Sequence, residues 1–443
     1  MRLTLVCALV LGLLAPVAAP AQQCSWQAGW VKAENAKAGE KNWDSDVVMR
    51  FSADFSRRKE AKRVEGYFDQ TSIGCGQSAT LKIVGAKSAD VSLYRIGYYK
   101  GAGARLIQTI KSAKKITATQ STPPGQYLVK LKSPGYRSTF VPLVITGQVP
   151  SNVTFVSSVL TWQAYNQWGG ESLYKGADGQ RETRAISVSL DRPYDGDGSG
   201  QFRYMEQPLV QLMEQLNLDI NYLTDIDLDT APEINSSSIV LGGHSEFWTQ
   251  AMRDVIEREI NQGTNLLVFG GNTAYAKTEL EGRTMKNRIP YRDINQPESL
   301  FIGSQFFAVG IKKDLEVQTT RSWPFNAIAK SSTIKGIYGY EADTAMGTRG
   351  PGVEVLARAS ISPTEKGFVA MSTYYAALSG AGVLNLGTNA WVCAMANRCP
   401  WGHSFDAKST QQIRQVTTAI LMQAGREKIG NWRVPHIDIP TRP

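Results

Sequence analysis

His244 and Glu246 stand two residues apart in Gly242-Gly243-His244-Ser245-Glu246-Phe247-Trp248, directly after the apolar run Ser238-Ile239-Val240-Leu241. An apolar run followed by two glycines and then by an amphipathic pattern reads as the C-terminal end of a β-strand opening into a loop. In open α/β sheets ligands bind at that end. If the extended geometry persists, residues two apart point to the same side. An imidazole and a carboxylate converging there have the chemistry of a metal ligand, a general base, or both. The same three residues in a solvated loop would do neither, because a lone His-x-Glu is a short motif.

Two other segments carry donors. Thr161-Trp162-Gln163-Ala164-Tyr165-Asn166-Gln167-Trp168-Gly169-Gly170-Glu171-Ser172-Leu173-Tyr174 is dense in aromatic and amide side chains and also follows a predicted strand. Asp195-Gly196-Asp197-Gly198-Ser199-Gly200 with Glu206 at position twelve fits a calcium-loop pattern, with oxygen donors at Asp195, Asp197, Ser199 and Glu206. Against that pattern, Arg203 occupies position nine, which usually helps ligate, and a strand rather than a helix precedes the loop. Covalent catalysis finds little support. There is no Gly-x-Ser-x-Gly elbow. The predicted strand–helix turn Phe269-Gly270-Gly271-Asn272 lacks the cysteine that thiol-dependent amide chemistry requires.

The elements that must position these groups fall into two kinds. Residues 22–148 alternate apolar and polar in short runs, as in Ala79–Val84, Val91–Ile96 and Tyr127–Leu131, separated by Gly and Pro clusters. That spacing predicts an immunoglobulin-like β-sandwich. Over 149–430, strand-like runs (Val153–Val159, Ala185–Leu190, Asp219–Leu223, Ser238–Leu241, Asn265–Phe269, Gly367–Thr373, Gly382–Leu386) are interleaved with helical patterns at Tyr204–Leu216, Gln250–Gln262 and Thr410–Ala424. Such alternation predicts βαβ units and a mostly parallel sheet. The fold class expected is therefore multidomain α+β, a sandwich followed by an α/β domain, with residues 431–443 as a tail.

The chain's start sets the compartment. Arg2 followed by the apolar stretch Leu3–Ala19 and the small-x-small site Ala19-Pro20-Ala21 reads as a secretory signal over 1–21. Gln22-Gln23 before Cys24 does not supply the small residues a lipoprotein needs, and no later stretch is long enough to span a bilayer. Four cysteines remain in the mature chain, and position favours Cys24–Cys75 and Cys393–Cys399 among the three pairings. These features place the protein in a secreted or periplasmic compartment. The net charge of +9 is dispersed. Its densest run, Arg57–Arg63, reads as a solvated face, and no nucleic-acid-binding signature accompanies it.

Taken together, the Thr161–Tyr174, Asp191-Arg192-Pro193-Tyr194, Asn221–Asp227 and Gly242–Trp248 segments, with Tyr94–Leu106 upstream, resemble the large (beta) subunit-like proteins of N,N-dimethylformamidase over roughly residues 65–425. The resemblance implies an α/β domain shaped like class I glutamine amidotransferases. It also implies a mononuclear iron site of two tyrosines and one glutamate with a nearby histidine, hydrolysing an amide. On that pattern Glu246 and Tyr165 are metal ligands and His244 is the catalytic proton carrier. Tyr194 is the second tyrosine ligand, with Tyr204 as the alternative. Phe247 stands where tyrosine is the more frequent residue, and the sequence places no second catalytic carboxylate. Phenolate and carboxylate are hard anionic donors suited to ferric iron. The function expected is an exported, metal-dependent hydrolase of an amide or related C–N bond in a small molecule. The alternative is a non-catalytic periplasmic or surface binding protein on the same fold. The enzyme reading is preferred because buried like charges without a metal would destabilise the fold.

Overall fold

The computed structural model describes residues 24, 26–51, 62–147, 151–230, 233–328, 330–345, 352–359 and 370–436. The expected signal at 1–21 and most of the basic run at 57–63 lie outside these residues. The architecture is mixed α+β with four sheets.

The N-terminal part packs a five-stranded sheet on a three-stranded one. The larger runs Ser72–Ile73, Thr139–Ile145, Gly125–Lys132, Asp90–Ile96, Ala104–Ile110 in spatial order, and the smaller Glu65–Phe68, Ser78–Val84, Lys115–Thr117. All pairs are antiparallel except Ser72–Ile73 with Thr139–Ile145. Alternation along each strand buries Leu81, Val91, Leu93, Val129 and Val141 between the two layers. The other face of the larger sheet packs on the following domain. Ile96, Leu128 and Phe140 join one core with Phe155, Leu209 and Tyr222 of the following domain. The two parts are further tied by a fully buried pair, Arg95 Nη2 to Glu214 Oε1 at 2.5 Å. Tyr99 and Tyr222 add hydrogen bonds to it. A buried pair of this kind is costly to break from either side.

The central sheet has nine strands: β1 Ser151–Ser157, β2 Ile220–Thr224, β3 Ser236–Leu241, β4 Asn265–Val268, β5 Gln305–Val317, β6 Thr333–Thr344, β7 Glu354–Ala359, β8 Met371–Ala376 and β9 Gly382–Asn385. Their spatial order is β2-β1-β3-β4-β9-β8-β7-β5-β6. The first five are parallel. The remaining four neighbours are antiparallel. The sheet is therefore half parallel, where a mostly parallel one was expected. Continuous apolar runs such as Ser238–Leu241 and Asn265–Val268 are buried along their whole length, as strands covered on both faces must be. β5 and β6 are long hairpin strands whose mixed charged and apolar residues carry no such signal. Ala185–Leu190 also departs from expectation. Its core, Ser187–Ser189, is the edge of a separate four-stranded sheet with Thr284–Pro290, Ala276–Glu281 and Phe247–Trp248.

The helix Gln250–Gln262 forms where the periodicity places it. The Thr249 side chain caps the Met252 amide, Gly263 ends it at φ 102°, and Met252, Val255, Ile256 and Ile260 face inward. The segment expected as one helix over 204–216 is two, Gly200–Met205 and Gln207–Gln215, with Pro208 at the start of the second. Both predicted disulfides are formed, Cys24–Cys75 and Cys393–Cys399. No described helix is long and apolar enough to cross a membrane.

Candidate functional site

The C-terminal ends of the parallel strands converge on Glu246. Gly242 and Gly243 lead out of β3 beneath the turn after β4. A side chain on Gly270 would lie 2.7 Å from both Gly242 O and Gly243 O, so only glycine lets the two chains approach this closely. Residue 244 then bridges to Gly271 in parallel register. The Thr161 hydroxyl accepts the Glu246 and Phe247 amides at 2.9 and 3.1 Å. Thr161 lies on the helix Val159–Tyr165, which follows β1 and ends at Tyr165.

Glu246 is wholly buried and its two oxygens are fully engaged. Tyr165 donates its phenol to Oε2 at 2.6 Å, and Tyr174 donates to Oε1. The two rings stack with centroids 4.1 Å apart. His244 Nε2 lies 3.5 Å from Glu246 Oε2 and 3.2 Å from Glu341 Oε2. Arg288 Nη2 approaches Oε1 at 3.3 Å, with its guanidinium over the Tyr174 and Tyr275 rings. Glu341 comes from β6. The carboxamides of Asn389 and Asn272 hold its Oε2 at 3.0 and 3.3 Å. The Asn272 amide in turn donates to the buried Asp343 at 2.8 Å.

Electrostatics follow from this packing. Burial alone would push the Glu246 carboxyl up, but His244, Arg288 and the Tyr165 phenol together pull it below its ordinary range. Burial likewise works against a charged His244, yet Glu341 and Glu246 outweigh it and raise the imidazole to about 10. Burial first, and the Glu246 charge second, hold the Tyr165 and Tyr174 phenols well above their ordinary range. Without a metal they are therefore protonated donors to Glu246.

Of the residues singled out in the sequence, Tyr165, His244 and Glu246 meet here. Tyr194 does not. It is half-buried, edge-on to Trp162, with Gln163 as its hydrogen-bond partner. Tyr204 packs edge-on to Phe51. The second phenol on Glu246 is Tyr174, returned beside Tyr165 because the loop doubles back, with the Leu173 amide bonding Ala164 O at 3.1 Å. Glu341, which the sequence did not single out, brings a second carboxylate beside His244.

The donor set suits a hard cation. Two phenols and both oxygens of one carboxylate converge in a buried place. The His244 ring faces the carboxylate through Nε2, and neither of its buried nitrogens has a hydrogen-bond partner. Among the described residues no group of three His, Cys, Asp or Glu side chains is arranged to hold a metal. Any centre at Glu246 must therefore use the tyrosines.

The calcium-loop residues do not assemble as that pattern requires. Asp197 is paired with Arg203 at 2.9 Å, and the Glu206 carboxylate turns to the Ser158 amide and Trp162 Nε1. Burial raises Glu206 to about 8, so it is neutral at pH 7. Added calcium is accordingly expected to leave the melting temperature unchanged. The raised Glu206 pKa also fixes a pH dependence. The folded chain keeps a proton that the unfolded chain releases near pH 4.3. That contribution is full below the unfolded value and is lost as pH rises through about 8. Glu206→Gln should therefore flatten the decline in melting temperature across that interval. Parallel curves for wild type and variant would contradict it.

A family model described as N,N-dimethylformamidase beta subunit-like, C-terminal, matches residues 90–401, more than half of the chain and including every residue around Glu246. The chain belongs to this family. No match was found among curated proteins. Membership in the dimethylformamidase-like family spans both the end of the sandwich and the central sheet, so the family's matched region includes the interface that buries Arg95 and Glu214.

Proposed function

We propose that this protein is an exported, metal-dependent hydrolase of an amide or related C–N bond. The observation that carries the reading is the buried carboxylate of Glu246 with two phenols on its oxygens and an imidazole facing it. Tyr165, Tyr174 and Glu246 are the residues that would hold iron, and Tyr174 takes the role that the sequence reading gave to Tyr194. When bound, a trivalent ion supplies Lewis acidity toward a carbonyl and acidifies water. The two disulfides support the oxidising compartment that export implies. The parallel half of the sheet, with its site at the strand ends, supports the amidotransferase-like shape.

The remaining chemistry belongs to the chain. The Glu341 carboxylate takes a proton from the attacking water. His244 Nε2, charged beside Glu341 and Glu246, gives a proton to the departing amine nitrogen. The 3.2 Å contact between the two lets the proton pass back and reset the pair. Arg288 keeps Glu246 Oε1 in place and, by its charge, keeps that carboxyl ionised. The aromatic rings of Tyr174, Phe247 and Tyr275 exclude bulk water from the carboxylate.

The tyrosine assignment has a direct test. Iron reconstitution should give a visible tyrosinate-to-metal band. Tyr174→Phe should shift and weaken that band, while Tyr194→Phe should leave it unchanged. The reverse pattern would return the role to Tyr194.

A further inference from the structure

Glu341 is the one acid–base group of the proposed site that comes from the antiparallel half of the sheet, and it is held from the segment 388–403. Asn389 Oδ1 accepts the Tyr340 and Glu341 amides, both at 3.0 Å, while its Nδ2 donates to Glu341 Oε2 at 3.0 Å. The Thr388 hydroxyl is bonded to the backbone of Ile337 and Gly339 at 2.8 to 3.1 Å. From the other end of the same segment, Trp401 stacks on Tyr340, centroids 4.9 Å apart and planes within 11°. Glu341 is thus gripped through its backbone and carboxylate by Asn389, and through the preceding side chain by Trp401.

The disulfide Cys393–Cys399 joins the two halves of this grip. Cys393 lies on the short helix Ala390–Ala394 that begins directly after Asn389. Cys399 lies two residues before Trp401. Between them the chain turns sharply through Asn397, at φ 48°, a conformation that costs energy outside glycine. The helix is only five residues long, too short to be stable by its own hydrogen bonds. The covalent link closes the loop between Asn389 and Trp401, alongside backbone hydrogen bonds from Asn397 N to Ala394 O and from Arg398 N to Cys393 O, both at 3.0 Å.

We infer that the Cys393–Cys399 disulfide is a redox-sensitive positioning device for Glu341, so that full activity requires the oxidised form. This rests on the reading above that Glu341 and His244 carry protons during amide hydrolysis. Reduction by a phosphine takes two electrons from phosphorus to break the sulfur–sulfur bond, and water supplies the two thiol protons and the oxygen of the phosphine oxide. A disulfide oxidant such as oxidised glutathione reverses it by exchange, leaving two molecules of reduced glutathione. The metal ligands Tyr165, Tyr174 and Glu246 come from other segments, so reduction leaves iron binding intact.

The test uses the full-length mature chain carrying Cys24→Ser/Cys75→Ser, in which a phosphine can reduce only Cys393–Cys399, beside Cys393→Ser/Cys399→Ser as a second form. Reduction is expected to speed hydrogen exchange at the Tyr340 and Glu341 amides at least tenfold while β1 and β3 amides stay protected. On an amide substrate, kcat should fall 10- to 100-fold, the scale of a misplaced catalytic group. KM and iron content should be unchanged, and oxidised glutathione should restore kcat. Unchanged exchange at Tyr340 and Glu341, whether on reduction of the first form or in the second form compared with wild type, would overturn the inference whatever the activity. Unchanged kcat with faster exchange would overturn it too. An oxidised protein that binds iron but hydrolyses no amide would instead count against the hydrolase reading, and the exchange measurement would still decide the clamp.

Discussion

Glu246→Gln is expected to abolish metal binding and amide hydrolysis together. The substitution keeps the side chain's shape but replaces an anionic oxygen with an amide nitrogen that cannot accept a phenol proton. Both oxygens of Glu246 receive tyrosine hydroxyls, with His244 and Arg288 beside them. The variant therefore leaves a buried phenol facing an N–H donor. Loss of charge-assisted bonds in a dry site costs on the order of 1–3 kcal/mol, so a lowered melting temperature should accompany the loss of iron. Metal content below about 0.1 equivalent is expected, because the anionic carboxylate is what draws the ion against the proton affinity of the two phenols. Retention of near-stoichiometric iron by Glu246→Gln would remove Glu246 from the ligand set.

Glu341→Gln separates proton transfer from metal binding. Its carboxylate touches His244 and two carboxamides but neither tyrosine. Iron content and the visible band should match wild type, while kcat falls by roughly 10²- to 10⁴-fold, the range for loss of a general acid–base group. The fall should appear in kcat rather than KM, since the group acts on a proton in transit. Glutamine retains an oxygen for the Asn272 and Asn389 amides, so the fold around the site should survive. Equal loss of iron in this variant would show that Glu341 supports the metal rather than the proton.

The parts of this site that the sequence carried are those set by local chemistry. An apolar run closed by Gly242-Gly243 marks a strand end, and the glycines are there because β3 and β4 nearly touch. His244 and Glu246 follow at once. Tyr165 lies at the end of a helix opened directly by β1. The helix Gln250–Gln262 announces both of its ends through Thr249 and Gly263. What stayed hidden depends on distant contacts. Tyr174 meets Tyr165 only because the loop between them folds back on Ala164. Tyr194 has the same residue type and a similar setting in the chain, and nothing local tells the two apart. Glu341 is one charged residue in a hairpin strand of mixed character, and it joins the site only because β6 lies beside Asn389 and His244. The calcium pattern shows the opposite case. Its dissonant residue, Arg203, pairs with Asp197.

Glu246 with Tyr165 and Tyr174 is proposed as an iron site that hydrolyses amides. Its most direct test is the iron content of the purified mature protein, measured together with hydrolysis of a panel of small amides before chelation, after it, and after iron is returned. Near-stoichiometric iron, with amide hydrolysis lost on chelation and recovered on reloading, is the predicted result. A protein that binds no iron after reconstitution, or whose hydrolysis ignores chelation, would contradict the account and favour a binding protein on the same fold.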